Sequence, residues 1–293
     1  MDATIYLSLW KLHLESPKIT MQYTLIFPET HFSPMVAREV RTMQKQLSIY
    51  QETHPEFPAM DTAISHALLQ TVSAGEVQQS LRVYQPRNLI AFGPQDTTDP
   101  GFIKAVKIGR SQGFECIRRL VGGRAAMFHN GTLAFGLTLT DHQPRENIEK
   151  NFQMMATLLL RCLGRLGVEA KIGPVTGEYC PGKYSINSQG KFKLAGIGQR
   201  LARNATYIGG VICYQQNLIA EEILTKVYST LNLDLNPNSL GNIQSVLPSV
   251  SYNLLEQAIL DEFRTTFYLE EEKIPIEILQ LALALEPQHV IRK

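Results

Sequence analysis

Residues 177–184 read Gly177-Glu178-Tyr179-Cys180-Pro181-Gly182-Lys183-Tyr184, and residues 191–200 read Lys191-Phe192-Lys193-Leu194-Ala195-Gly196-Ile197-Gly198-Gln199-Arg200. The second run, through Gly198, has the composition of a strand and is expected to pair with Tyr184–Ile186 across the turn Asn187–Gly190. That is the signature of an antiparallel segment. The first run holds a cysteine between Tyr179 and a Pro-Gly turn, where proline and glycine place backbone at the surface and a thiol is badly sited for core packing. Cys180 is therefore a candidate nucleophile. An ammonium nearby favours thiolate over thiol, and Lys193 is the expected partner.

Working outward, Val168–Ile172 reads as a strand entering the cysteine loop. Before it, Ile148, Phe152, Met155, Leu159, Cys162, Leu163 and Leu166 recur at spacings of three and four, predicting a long amphipathic helix over Arg145–Leu166 that stops at Gly167. After the lysine run come a strand, Tyr207–Tyr214, and a helix, Ala220–Leu231. Further upstream, Asp61 is placed to cap a helix ending near Gly75, and Asp99-Pro100 opens another that stops at Gly113. Leu81–Tyr84, Leu89–Phe92, Phe114–Arg118, Ala125–His129 and Leu133–Leu139 read as strands, the last two joined by the hairpin dipeptide Asn130-Gly131. Helices and hairpins alternate irregularly, which predicts an α+β fold with a mixed, largely antiparallel sheet packed with helices. Three regions are expected: an N-terminal appendage at 1–55 with a helix around Met35–Tyr50, a catalytic domain at 56–232, and a C-terminal helical segment at 233–293. The last would carry helices near Tyr252–Thr266 and Pro275–Ala284 as a small cap.

Bulk properties exclude several classes. A formal net charge of +1 over 293 residues offers no global field for nucleic acid or an anionic membrane, so neither is an expected partner. Apolar runs such as Met154–Leu160 fall short of the roughly 20 residues that span a bilayer, and the start lacks a secretory signal, so a cytoplasmic location is expected. Cys116, Cys162, Cys180 and Cys213 form no CxxC pair and lie near no histidine cluster, which argues against a zinc site or a disulfide framework. Cys116, Cys162 and Cys213 read as small buried hydrophobes.

A second segment, Arg118-Arg119-Leu120-Val121-Gly122-Gly123-Arg124-Ala125-Ala126-Met127-Phe128-His129-Asn130-Gly131, pairs two glycines whose backbone can approach a ligand without a Cβ in the way. On its own this is also the pattern of a plain turn. Together with Lys193-Leu194-Ala195-Gly196 and Gln199-Arg200, however, the segment resembles the biotin/lipoate protein ligase and octanoyltransferase superfamily over roughly residues 60–215. The Glu178–Gly182 stretch is similar to the cysteine loop of the amidotransferases that move octanoyl groups from the glycine cleavage H protein.

That resemblance implies a biotin/lipoate protein ligase-like fold and an acyltransferase. Cys180 would take an octanoyl or lipoyl group as a thioester, from glycine cleavage H protein or from acyl carrier protein, and pass it to the lysine of lipoyl carrier domains of 2-oxoacid dehydrogenase complexes. Lys193 would support the thiolate; Arg119, Gly122, Gly123, His129, Gly182, Gly196 and Gln199 would line the acyl and lysine channel. Neither metal nor other cofactor is expected. Within the superfamily the rival is an ATP-dependent lipoate ligase, whose pattern has a third glycine where this chain has Arg124 and no cysteine at Cys180. Outside it stand a non-catalytic acyl-binding protein and a Cys–His hydrolase using His129, for which no third orienting group is identifiable. His66 and His142 read as surface or satisfied packing residues.

Overall fold

The computed structural model describes residues 45–292. In chain order these form β1 (Lys45–Tyr50), α1 (Met60–Ala74), β2 (Ser80–Tyr84), β3 (Leu89–Phe92), α2 (Phe102–Ser111), β4 (Glu115–Arg118), β5 (Ala126–Phe128), β6 (Thr132–Thr140), α3 (Ile148–Arg165), β7 (Lys171–Ile172), β8 (Ile186–Ser188), β9 (Phe192–Leu201), β10 (Ala205–Cys213), α4 (Leu218–Thr230), α5 (Tyr252–Arg264), β11 (Phe267–Glu271) and α6 (Ile276–His289). The main sheet has the order β11-β1-β2-β6-β10-β9-β8-β7, and a smaller one the order β4-β3-β5. Pairing is antiparallel from β2 through β7, while β1 lies parallel to both β2 and β11. The architecture is the expected α+β class.

Period-two alternation decides which face each strand buries. Leu47, Ile49, Leu81, Val83, Leu133, Phe135 and Leu137 point to one side of the main sheet, where the apolar stripes of α3 (Met155, Leu159, Cys162, Leu163) and α5 (Leu255, Ile259, Phe263) cover them. On the other side α1 packs against α6 through Ala63, Ile64, Ala67 and Leu68 on Ile278, Ala282 and Leu285. Arg82 ties α1 to the sheet, its buried Nη2 standing 2.8 Å from Asp61 Oδ1. The small sheet buries Ile90 and Phe92 under α2 and α4.

Several boundaries differ from the sequence reading for identifiable reasons. Lys45–Tyr50 is a strand, not the end of a helix; residues 35–44 of that expected helix lie outside the described part. The boundary drawn at residue 55 therefore follows a strand of the main sheet, and the described residues fall in one compact unit. The C-terminal segment contributes β11 to the same sheet beside β1, so it is more than a helical cap. Asp61 sits in the first turn of α1 and is spent on Arg82 rather than on a cap. Asn130-Gly131 does not close a hairpin: β5 pairs with β3 in the small sheet and β6 with β2 and β10 in the main one. Gly131 O instead accepts from the amides of Tyr214 and Gln215 at 3.0 Å, which holds the crossing chain against the end of β10.

This crossing brings the Gly122-Gly123 loop of the small sheet over β9 and β10. Glycine is required both beneath that loop and within it: a Cβ on Gly198 of β9 would stand 2.6 Å from Val121 Cγ2. A Cβ on Gly93 would lie 1.6 Å from Gly123 O, and Gly123 itself has φ +107°, a left-handed backbone that side chains rarely adopt.

Candidate active site

Cys180 sits at the head of a cleft of about 540 Å³ whose floor is made by Ala126, Phe128, Ile197, Gly210 and Val211. Its φ is +41°, a left-handed conformation for a residue with a side chain. Such strain persists only where the surroundings over-determine it, and here they do. The Cys180 N–H donates to Tyr228 Oη at 2.7 Å, and that hydroxyl donates to Ala125 O at 2.8 Å. The loop is thereby pinned to the small sheet's helix α4.

Two donors converge on the sulfur. Arg124 N–H lies 3.2 Å from Cys180 Sγ and Arg119 Nη1 3.4 Å from it, while the same Arg119 nitrogen donates to Arg124 O at 2.7 Å. Gly123 makes this convergence possible, since a Cβ there would stand 2.7 Å from Sγ. Asp96, fully buried, holds the Arg124 side: its Oδ2 accepts from Gly93 N–H at 2.8 Å and its Oδ1 is 3.3 Å from Arg124 Nη1. Burial pushes the Asp96 carboxyl up, and the Gly93 and Arg124 contacts oppose that shift.

Lys193 occupies a different place from the one its proximity in sequence suggested. Its Nζ donates to Glu178 Oε1 at 3.1 Å, Tyr179 O at 3.0 Å and Cys180 O at 2.9 Å, so its three protons face a carboxylate and two carbonyls. The ammonium also lies 4.6 Å from the centroid of the Tyr179 ring. Lysine and carboxylate are both almost fully buried, at 1% and 0% side-chain exposure, which makes each obligatory for the other. Burial lowers the Lys193 pKa, and Glu178 counters it. Glu178 is in turn a staple for the whole loop, accepting from Val175 N–H at 2.9 Å, Gly182 N–H at 3.3 Å and Ser185 Oγ at 2.5 Å. Lys193 thus fixes the backbone on which the thiol sits; the cation touching the sulfur is Arg119.

The structure brings Arg119, Gly122, Gly123, Gly182, Lys193, Gly196 and Gln199 to the wall of the Cys180 cleft. A Cβ on Gly196 would crowd Lys193 Cε at 3.3 Å, and Gln199 Nε2 donates to Ile148 O at 2.9 Å, closing the wall against α3. His129 is not brought there. It lines a separate cavity of about 40 Å³ with Cys213, on the other flank of Tyr179, and its Nδ1 accepts from Gly131 N–H at 3.0 Å. Burial pushes its pKa down to about 4. It is a neutral strand-end residue, which removes the Cys–His hydrolase arrangement.

Glu178, Arg124, Asp96 and Tyr228 were not singled out from sequence. For Glu178 a signal existed: a lysine between Phe192 and Leu194 on a buried strand needs an acid within reach. The other three depend on long-range packing. Among the described residues, no group of acidic, histidine or cysteine side chains is arranged to hold a metal ion, and no helix is long and apolar enough to cross a membrane.

A small sheet set against a larger, mostly antiparallel one, with a glycine-paired loop and a buried lysine lining one cleft, makes an α+β domain built around that cleft. Residues 58–264 match the lipoyl protein ligase A/B catalytic domain, and the chain belongs to that family. It is 29% identical over 189 residues to an octanoyl-[GcvH]:protein N-octanoyltransferase of Geobacillus kaustophilus, covering 63% of this chain and 66% of that one. It is 32% identical to a protein of the same name from Anoxybacillus flavithermus, covering 54% and 57% respectively. The matches thus span somewhat under two thirds of these relatives. In fold it is similar to a bipartite lipoate protein ligase from Thermoplasma acidophilum, described together with its E2 lipoyl domain as an archaeal lipoylation system (TM-score 0.64, 18% identity, 84% of this chain and 93% of that one).

Proposed function

We propose that this protein is an acyltransferase that moves octanoyl or lipoyl groups between protein lysines through a thioester on Cys180. The observation that carries the reading is the geometry at the sulfur: a thiol in a strained left-handed turn, met by Arg124 N–H and Arg119 Nη1, at the head of an apolar-floored cleft. In the first half-reaction Sγ adds to the acyl carbonyl carbon; the C–S bond forms, the amide C–N bond breaks, and the thiol proton ends on the departing lysine amine. The second half runs in reverse on another lysine: its nitrogen forms the new amide bond, the C–S bond breaks, and one amine proton returns to sulfur. The exchange is amide for amide and needs no nucleotide. With Cys180's own N–H engaged by Tyr228, the two N–H donors beside the sulfur would serve the oxyanion of each tetrahedral intermediate.

The relatives' names support octanoylated glycine cleavage H protein as donor, and lipoyl carrier domains as acceptors follow from it; acyl carrier protein is the competing donor. Intact-mass measurement after incubation with each octanoylated donor, and separately with octanoate plus ATP, tests this. One octanoyl group gained on the wild type, absent from Cys180→Ala and chased off by an apo lipoyl domain, supports the reading and names the donor. Acceptor acylation that requires ATP and survives Cys180→Ala would mean a ligase, and no modification under either condition would leave a binding protein.

A further inference from the structure

The lining of the Cys180 cleft carries Arg119, Lys183 and Lys193 as cations, and Glu149 as its sole carboxylate among the described residues. Glu149 stands in the first turn of α3, at the cleft mouth, where a helix N-terminus favours a negative charge. It is more than half exposed. Its Oε1 accepts from Tyr184 Oη at 2.6 Å and from Lys183 Nζ. Tyr184 is held in turn by stacking on Phe152, with ring centroids 5.4 Å apart and planes 3° from parallel. A carboxylate is thus fixed by a rigid tyrosine and occupied by a primary ammonium on a flexible, exposed stem.

The substrate of the proposed reaction is itself a primary ammonium on a four-carbon stem. As the attacking amine of the acceptor it must enter a cleft whose Arg119 and Lys183 repel it, and the donor lysine, which enters as a neutral amide, gains that charge only as it departs. We infer that Glu149 is the docking group for the ε-ammonium of the substrate lysine, and that Lys183 is a built-in placeholder which the substrate displaces. The exchange swaps one exposed ion pair for another of the same chemistry, so the mouth is kept neutral between turnovers without a strong competitor for substrate. This inference rests on the acyl-transfer reading and adds to it the group that recognises the acceptor.

The test separates docking from a structural strap. Breaking the Glu149–Lys183 pair from either end removes a strap equally, whereas docking predicts opposite behaviour from the two ends. Glu149→Gln keeps an acceptor for Tyr184 Oη and loses the charge; it is expected to raise KM for an apo lipoyl domain about fivefold, while acylation of Cys180 by a small octanoyl thioester, which releases no amine, keeps its rate. Lys183→Ala is expected to leave that KM unchanged or to lower it. An unchanged KM in Glu149→Gln, a rise in KM for both variants, or slowed thioester acylation in Glu149→Gln would overturn the docking role while the acyl-transfer reading stands. Failure of the wild type to form any Cys180 thioester would instead sink that reading.

Discussion

Cys180 and Cys213 line two separate cavities that share one side chain, Tyr179, in their walls. Cys213 ends a regular strand, hydrogen-bonds to Gln215 O at 3.5 Å and has its pKa pushed up to about 12 by burial, with Glu221 adding to the shift. Cys180 sits in a left-handed turn with a guanidinium and a backbone N–H at its sulfur. The histidine that sequence offered as a base lies on the Cys213 side, so residue type alone would pair the wrong thiol with it. On the proposed reading, reactivity comes from donors and backbone geometry at Cys180, whereas Cys213, half-buried and not the fully buried hydrophobe expected from sequence, has neither.

The largest effect should come from exchanging the two thiols. Cys180→Ala is expected to reduce acyl transfer by roughly a thousandfold or more, as loss of a covalent nucleophile does, and Cys213→Ala to leave it within experimental error. Steady-state acylation of an apo acceptor domain measures both. Equal losses would erase the distinction drawn across Tyr179.

Next in size is the support beneath Cys180. Lys193→Ala strands the Glu178 carboxylate in the interior and is expected to cost about 3–5 kcal/mol of stability, read as a lower urea midpoint. Lys193→Met combined with Glu178→Gln removes both charges and should recover most of that loss. Transfer should stay low in the double variant, because the carbonyls of Tyr179 and Cys180 have lost their clamp. Activity returning along with stability would reduce the pair to a packing element.

Third, Arg119→Ala should slow iodoacetamide alkylation of Cys180 about tenfold, the order expected for one charge-assisted hydrogen bond, with Arg119→Lys in between. Labelling of Cys213 in the native protein should be unaffected. A Cys180 rate indifferent to Arg119 would leave the sulfur's reactivity to the Arg124 N–H and the turn geometry alone.

How much of this was legible depends on the range of the interaction. The cysteine turn and the stripe of α3 are local patterns that read correctly from spacing and turn residues; the β8–β9 pairing was read two residues early, Tyr184–Ile186 for Ile186–Ser188, with Asn187 and Ser188 in the strand and not in the turn. β11 was missed because Phe267–Glu271 is short and charged at its end, and it becomes a strand only through pairing with β1, some 200 residues earlier in the chain. The Asn130-Gly131 dipeptide gave a true turn but a false hairpin, since a turn signal says nothing about which sheet the next strand joins. Lys193 was placed in the right site with the wrong contact. Sequence showed a lysine near a cysteine; the three acceptors that take its protons are set by a fold-back of the Glu178–Cys180 segment.

The last predicted effect concerns acid and is read on stability alone, and it falls on the cavity lined by His129 and Cys213 and on the C-terminal helix, away from the Cys180 thiol. His129 and His289 are both buried, and burial lowers each pKa from 6.5 to about 4. His289 also faces His66, whose Nδ1 lies 3.1 Å from its Nε2, together with Arg118 and Arg200; these cations oppose its protonation further, while Arg118 O, 3.0 Å from its Nδ1, favours it. Below pH 6.5 the unfolded chain binds protons at these imidazoles that the folded chain refuses until about pH 4. The unfolded state then holds more protons, so stability decreases as pH falls through that window, with a slope approaching about 1.4 kcal/mol per pH unit for each histidine. The urea midpoint should drop between pH 7 and pH 5, and His129→Gln should drop less over the same interval. A flat wild-type profile would mean that the imidazoles charge freely, and that the cavity behind Tyr179 is as open to solvent as the cleft in front of it.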